Sequence, residues 1–450
     1  CRDRARVVVV GDVKMDINRK TFFEKELEIF QSRSYGPGRY DKNYEEKGND
    51  YPVGYVRWTE RRNASSFLKL IDTEKINPSN LTTHEFAIEN AMGAYKLVSK
   101  VNKENVVGII IKYNIKKKIQ NKIQINKQPI LNSQKINLGV IGTGNFAKSI
   151  LLPSMRNTKG FNFYAVSSNK GISAKAIAEK YNSSVVYDNP IKLINDKNIK
   201  ALVISTRHDT HAEYIIESLK LNKHVFVEKP LAINSYQLQK IKDVFKKTKG
   251  TLSVGYNRRY SDQIRDLKKY FNNRTQPMAI MYRINAGSIS ENSVASWVHD
   301  KTIGGGRIIG EACHFVDVLQ FLCDSNPISL DVTKIGNSRF DDTVSFTIGF
   351  EDGSIGTIHY WSNGSPLHSK ERIEVFCQEK IGILDNFKNL QLINKDKINN
   401  KKYFSSDKGF KNESDFFLEV CRRNAHPVDA EVLFSNSDLT FKVIEKLSEV

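Results

Sequence analysis

Cysteine is scarce in this chain: five residues in 450, widely spread and with no C-x-x-C spacing. Neither a disulfide framework nor a zinc ribbon fits Cys1, Cys313, Cys323, Cys377 and Cys421, so a reducing, cytoplasmic setting is expected. Long apolar runs are also missing. None approaches the roughly 18–20 residues of a membrane span, and no secretory signal pattern is visible. Cys1 leads almost at once into Arg6-Val-Val-Val-Val-Gly11, a buried-looking strand, which favours a fragment of a longer reading frame over a processed lipoprotein. Lysine is what the chain has in excess, giving a formal charge of +19. These lysines are scattered among Asn and Ile rather than gathered into a stripe, so nucleic-acid binding is not expected.

A chain of this length exceeds one ordinary core, and two or three domains are expected. Residues 1–113 carry strand patterns at Arg6–Val10 and Lys25–Phe30, a Gly/Tyr/Pro-rich loop at Ser34–Tyr55, and helical patterns near Asn63–Leu70 and Glu85–Lys100. Residues 114–134 are lysine-rich, without acids, and read as a solvated basic linker. From 135 to 256 strands alternate with helices, which predicts a doubly wound parallel sheet. From 257 to 450 the period changes to two. Thr343–Phe350 and Ser354–Trp361 form a hairpin around Asp352-Gly353, with further strands at Met278–Asn285, Ser329–Ile335 and Arg372–Gln378. An α+β domain is expected there, its sheet open and largely antiparallel, with one helix at Glu311–Leu322. One sheet face should cover the site and the other bury against a second copy, making a homo-oligomer.

The chemistry begins at Lys135-Ile-Asn-Leu-Gly-Val-Ile-Gly-Thr-Gly-Asn-Phe-Ala147. An apolar strand runs into a G-x-G-x-x-A turn. Gly142 permits the turn, Gly144 lets backbone approach a pyrophosphate, and Ala147 lets helix and strand pack closely. The helix start at Asn145 and Phe146 offers free N–H groups to phosphate. The second strand ends Ala165-Val-Ser-Ser-Asn-Lys170, without the acid that would bind the ribose 2′-OH of NAD. Ser168, Asn169 and Lys170 could hold a 2′-phosphate instead, so NAD and NADP are both carried, with NADP preferred.

Two further motifs follow. Lys223-His-Val-Phe-Val-Glu-Lys-Pro-Leu231 delivers Glu228-Lys229-Pro230 to a strand's C-terminal end, where ligands of open α/β sheets bind. Gly304-Gly-Gly-Arg-Ile-Ile-Gly-Glu-Ala-Cys-His-Phe-Val-Asp317 leads a glycine-rich loop into a helix with His314 and Asp317 on one face. Imidazole is the side chain best suited to exchange a proton near neutral pH.

Together these motifs resemble the family of glucose–fructose oxidoreductase, inositol dehydrogenase and the rhizopine-catabolism proteins, over residues 135–450. The resemblance implies an NAD(P)-dependent oxidoreductase acting on the CH–OH group of a sugar, cyclitol or sugar nucleotide. It makes Lys229 and His314 the catalytic pair and puts Thr206, His211, Glu228 and Lys229 around the cofactor. The family usually carries Asp four residues before the histidine; here that position is Gly310, and Glu311 and Asp317 are the two candidates for the carboxylate. A cofactor-binding module with lost or altered catalysis is the alternative. No metal site is expected. Phe22-Phe-Glu-Lys-Glu-Leu-Glu-Ile29, Ser34-Tyr-Gly-Pro-Gly-Arg-Tyr-Asp41 and Leu81-Thr-Thr-His-Glu-Phe-Ala-Ile-Glu-Asn-Ala91 resemble the C-terminal part of a zinc-type medium-chain alcohol or threonine dehydrogenase. That order of modules resembles two-domain oxidoreductases associated with surface-polysaccharide synthesis.

Overall fold

The computed structural model describes residues 1–32, 34–99, 105–113, 122–125, 135–168, 171–290, 293–336, 342–425 and 430–449. The chain divides into two compact units, Cys1–Ile119 and Gln120–Val450.

In the first unit, β1 (Arg6–Val10) pairs in parallel with β2 (Glu28–Ser32), and β3 (Thr82–Ala87) with β4 (Gly108–Lys112). Helices span Glu60–Asp72 and Ala91–Ser99. The β1 strand lies where its valine run predicts, but it is not buried: Val8 is 54% and Val10 74% exposed. The helical pattern expected from Glu85 gives way to a strand through Ala87. Thr82–Ala87 alternates half-buried and exposed positions, a period of two that its apolar spacing also fits.

The second unit begins earlier than the sequence suggests. β5 (Lys122–Gln124), inside the segment expected to be a linker, pairs antiparallel with the edge of a seven-stranded sheet. The other strands of that sheet are β6 (Ile136–Ile141), β7 (Phe161–Ser167), β8 (Val185–Tyr187), β9 (Ala201–Ile204), β10 (His224–Val227) and β11 (Leu252–Val254). Their order, β11-β10-β9-β6-β7-β8-β5, is parallel except for β5. The order reverses between β6 and β9, which opens a crevice at their C-terminal ends. Leu138, Val140 and Ile141 of β6 are completely buried, as a central strand covered on both faces requires.

An eight-stranded sheet follows: β12 (Ala279–Asn285), β13 (Pro327–Lys334), β14 (Val344–Phe350), β15 (Ile355–Trp361), β16 (Glu371–Cys377), β17 (Lys380–Asp385), β18 (Asn389–Asn394) and β19 (Lys397–Lys402). It is antiparallel except for the β12–β15 pair. The expected hairpin forms between β14 and β15, with Val344 opposite Tyr360. Helix Cys313–Cys323 packs Phe315, Val316 and Leu319 against the sheet's inner face, in one core with Tyr282, Phe346 and Tyr360. The chain then returns to the first sheet. Phe417, on helix Phe410–Arg423, packs against Phe161 and Phe226 at centroid distances of 5.7 and 5.5 Å.

Candidate active site

Three pieces of backbone meet where the sheet order reverses. The first is the turn after β6. Gly142 has φ +95, and a Cβ there would lie 2.5 Å from the Ser205 carbonyl oxygen at the end of β9, so only glycine fits. Gly144 differs: a Cβ at that position meets nothing within 4 Å. Gly144, Asn145 and Phe146 are exposed while Ala147 is 1% exposed against β6. Open backbone at a helix start, with a buried small residue behind it, is what a pyrophosphate requires.

The second piece follows β9. Thr206 Oγ1 lies 2.7 Å from Thr210 Oγ1. His211, expected beside the cofactor, is 0% exposed and cannot touch a ligand. Its ring spans two carbonyls, Nδ1 at 2.8 Å from Pro230 O and Nε2 at 3.3 Å from Thr206 O. Burial keeps its pKa below the usual value, so the neutral ring donates to one carbonyl, and Pro230 is the nearer. His211 clips this loop to the Lys229–Pro230 turn, a positional role that its sequence spacing does not reveal. Of the residues expected to select the cofactor, Ser168 is half-buried just beyond β7. Asn169 and Lys170 lie outside the described residues.

The third piece joins β10 to the helix of His314. Lys229 Nζ donates to the Gly310 carbonyl at 2.6 Å, one helical turn before His314. His314 is 8% exposed, and among the described residues its buried Nδ1 has no hydrogen-bond partner. Burial first, then the charges of Arg258, Lys229, Lys408 and Lys370, hold its pKa well below the usual value. The free ring is therefore a neutral base. Glu228 precedes Lys229. It is 8% exposed, its Oε1 has no partner among the described residues, and burial raises its pKa to about 7 against the pull of Lys229.

The two candidate carboxylates part company. Asp317 is 1% exposed and held by both Arg259 Nε, at 2.8 Å, and Arg259 Nη2. It is the buried counter-ion of that guanidinium and, at this exposure, is not open to a ligand. Glu311 accepts from Tyr360 Oη at 2.9 Å and lies 3.7 Å from Arg307 and 4.0 Å from Lys370. Burial works to raise its pKa, but Lys370, Lys229, Arg307 and the Tyr360 hydroxyl together hold it below the usual value. It stays an anion beside Lys229.

Sequence reasoning missed His208. Its Nδ1 lies 2.8 Å from Gly304 O, which fixes the proton on Nδ1 and leaves a lone pair on Nε2. Its ring packs edge-on against Trp297 at 4.8 Å, and burial, with Lys229 and His211, lowers its pKa to about 3. A Cβ on Gly310 would meet His208 Cε1 at 2.9 Å. The imidazole thus fills the space that a side chain at position 310 would need, and the glycine there is a packing complement. The signal was available in Thr206-Arg207-His208-Asp209-Thr210-His211, where a second histidine follows the same strand.

Residues 136–256 match the oxidoreductase family with an NAD-binding Rossmann fold, and residues 279–381 match the GFO/IDH/MocA C-terminal domain. Myo-inositol 2-dehydrogenase of Thermotoga maritima is 26% identical over 263 residues, 57% of this chain and 77% of its own length. Inositol 2-dehydrogenase of Serratia proteamaculans is 26% identical over 44% of this chain, which spans 57% of that relative. Among solved structures, levoglucosan dehydrogenase in complex with NADH and levoglucosan superposes with a TM-score of 0.61 and 19% identity, covering 70% of this chain and 98% of that one. At that identity the likeness is one of fold.

Proposed function

We infer from residues 136–256 and 279–381, the NAD-binding and C-terminal domains of the GFO/IDH/MocA oxidoreductase family, that this chain oxidises or reduces a CH–OH group of a sugar or cyclitol. The similarity to two inositol 2-dehydrogenases supports that substrate class. The observation that carries the reading is the Lys229 Nζ–Gly310 O bond, which sets a strand-end cation beside a neutral, unpartnered His314.

Gly142, Gly144, Asn145, Phe146 and Ala147 would hold the dinucleotide's pyrophosphate, with Thr206 and Glu228 nearby. When bound, the nicotinamide supplies a hydride acceptor or donor. In oxidation His314 takes the substrate hydroxyl proton on a ring nitrogen, and Lys229 donates a hydrogen bond to the same oxygen as negative charge develops on it. Glu311 balances Lys229 electrostatically, and His208 packs where a carboxylate-bearing side chain at 310 would stand. NADP in preference to NAD rests on Ser168, Asn169 and Lys170 in the sequence. The likeness of residues 1–113 to a medium-chain dehydrogenase rests on sequence, with the parallel β1–β2 and β3–β4 pairs in keeping with an α/β fragment.

A cofactor-binding module without turnover is the second reading, favoured by glycine at position 310. Titration with NADH and NADPH, followed by a screen of sugars and cyclitols at the nicotinamide absorbance band, separates the two. Gly144→Val should abolish dinucleotide binding in a folded protein, because the branched side chain fills the open space over the turn. Unchanged affinity in that variant would remove the cofactor assignment.

A further inference from the structure

Charge around His314 is unevenly matched. Glu371, 1% exposed, accepts from Arg258 Nε at 2.8 Å and Nη2 at 2.9 Å, from Tyr282 Oη at 2.6 Å and from Lys408 Nζ at 2.6 Å. All four lone-pair positions of that carboxylate are used, by two cations and a phenol. Arg307 is matched by Asp342 at 3.1 Å. Glu311 faces Lys370 at 4.0 Å and acts on Lys229, whose one hydrogen bond among the described residues goes to a carbonyl. Among the described residues, five cations (Arg258, Arg307, Lys229, Lys370 and Lys408) therefore share three carboxylates, Glu311, Asp342 and Glu371. Burial raises the pKa of the nearby Glu228 and Glu413, Glu413 well above the usual value, so neither brings a full negative charge to this balance near neutral pH. The Arg259–Asp317 pair is self-compensated.

Two features turn this excess toward a ligand. Lys370 is 44% and Lys408 23% exposed in their side chains, so both stand at the rim of the cleft rather than in the core. They also come from the second domain, beside β16 and after β19, while the glycine turn that suits the cofactor's phosphates lies after β6. The dinucleotide's own charge therefore has a separate receptor. Lys408 shares Glu371 with Arg258, and Lys370 shares Glu311 with Arg307, so positive charge is left over at this rim, where it can form charge-assisted hydrogen bonds to an anion brought by the substrate.

Resting on the oxidoreductase reading, we propose that the cleft beside His314 carries an anion subsite, formed by Lys370 and Lys408, and that the substrate is an acidic sugar bearing a carboxylate or phosphate. The hydroxyl to be oxidised lies at His314 and Lys229, and the anionic group lies toward Lys370.

The test uses the full chain with NAD and NADP and three probes: D-glucose as the neutral sugar, D-glucuronate for a carboxylate, and D-glucose 6-phosphate for a phosphate. Apparent KM is read from nicotinamide absorbance, and binding without turnover from ligand-dependent shifts in Tm. At least one anionic probe should bind about tenfold more tightly than glucose. That preference should fall with added salt, collapse in Lys370→Gln and return in Lys370→Arg. The arm that responds identifies the anion as carboxylate or phosphate. Oxidation of glucose with no anion preference overturns the subsite and leaves the oxidoreductase reading intact. A Lys370-dependent Tm shift with an anionic probe, but no turnover of any probe, supports the subsite and counts against the enzyme reading. No Lys370-dependent preference in either measurement overturns the proposal.

Discussion

Strands β1 and β6 look alike in sequence, each a short apolar run ending at a glycine, and each pairs in parallel with a neighbour. Their surroundings differ completely. Leu138, Val140 and Ile141 of β6 are 0% exposed, whereas Val8 and Val10 of β1 are 54% and 74% exposed and every residue of β2 is exposed. All three hydrophobic clusters lie between Ile125 and the C-terminal helix. Among the described residues of the first unit, Ala94 is the one buried hydrophobic side chain. A hydrophobic run states that a strand needs cover, since parallel strands are stable when both faces are packed. It does not say that the cover is there. The second unit supplies it with helices and a second sheet; the first has two-stranded pairs too small to do so.

The comparison breaks most decisively at the proposed reacting groups, His314 and Lys229, both in the second unit. His314→Ala and Lys229→Met should each lower turnover by ~10²–10⁴-fold, or roughly 3–5 kcal/mol of barrier, with dinucleotide affinity nearly unchanged. The double variant should lose much less than the product of the two, because residues that act together are non-additive. Steady-state rates beside NAD(P)H titrations measure this. Full activity in His314→Ala would end the proton-transfer assignment.

Next in size is the core. Phe315 is 1% exposed, 5.1 Å from the Tyr282 ring and beneath the Arg258 guanidinium. Phe315→Ala should destabilise the second unit by about 3–5 kcal/mol, read from the denaturation midpoint, because the cavity lies between a sheet and a buried ion pair. A loss under about 1 kcal/mol would show that the site's packing is looser than the ring contacts describe.

A comparable effect is expected from pH. Glu228 titrates at about 7 in the folded unit against 4.5 for the free carboxyl, because burial disfavours its charge. A raised folded pKa means that the stabilising contribution is complete below about 4.5 and is lost as pH rises through about 7. The loss is roughly 3 kcal/mol at full deprotonation, and Glu413 acts in the same direction. His208, His211 and His314, whose pKa values burial lowers, act in the opposite direction over the same window, so the contribution of Glu228 is read as a difference between two chains: the Tm of Glu228→Gln should gain on that of the parent as pH rises from about 4.5 through about 7. A Tm difference that does not move in favour of Glu228→Gln over that range would reverse the sign assigned to Glu228.

Much of the candidate site is legible in the sequence because its signals are local. The glycine turn, the Glu228-Lys229-Pro230 strand end and His314 each occupy a single short segment, and their types and spacings state their needs. What escaped depends on distant partners. Asp317 was a candidate acid until Arg259, 58 residues away in sequence, occupied it. His208 and Gly310 complement each other across a hundred positions, which neither segment announces. In the fold, β14 and β15 alternate cleanly and were found, whereas β19 (Lys-Ile-Asn-Asn-Lys-Lys) is exposed throughout and carries no apolar period. β5 was hidden because its lysine and glutamine read as solvated, although at a sheet edge such residues are well placed to face water.

The smallest expected effect tests the first unit's half of the comparison. Phe23 is 75% exposed at the end of helix Arg19–Glu24, with Arg19 over its ring at 5.9 Å. Truncation to alanine removes little that is shielded from water, so Phe23→Ala should change stability by no more than about 0.5 kcal/mol, as exposed positions do. The same holds for Val10→Thr on the open side of β1. Paired denaturation curves of these variants and Phe315→Ala in the full chain place the two units on one scale. Were Phe23→Ala to cost 2 kcal/mol or more, on the order of a buried aromatic, this face would be covered in solution by another surface. The contrast between the units would then be one of partners rather than of packing within the chain.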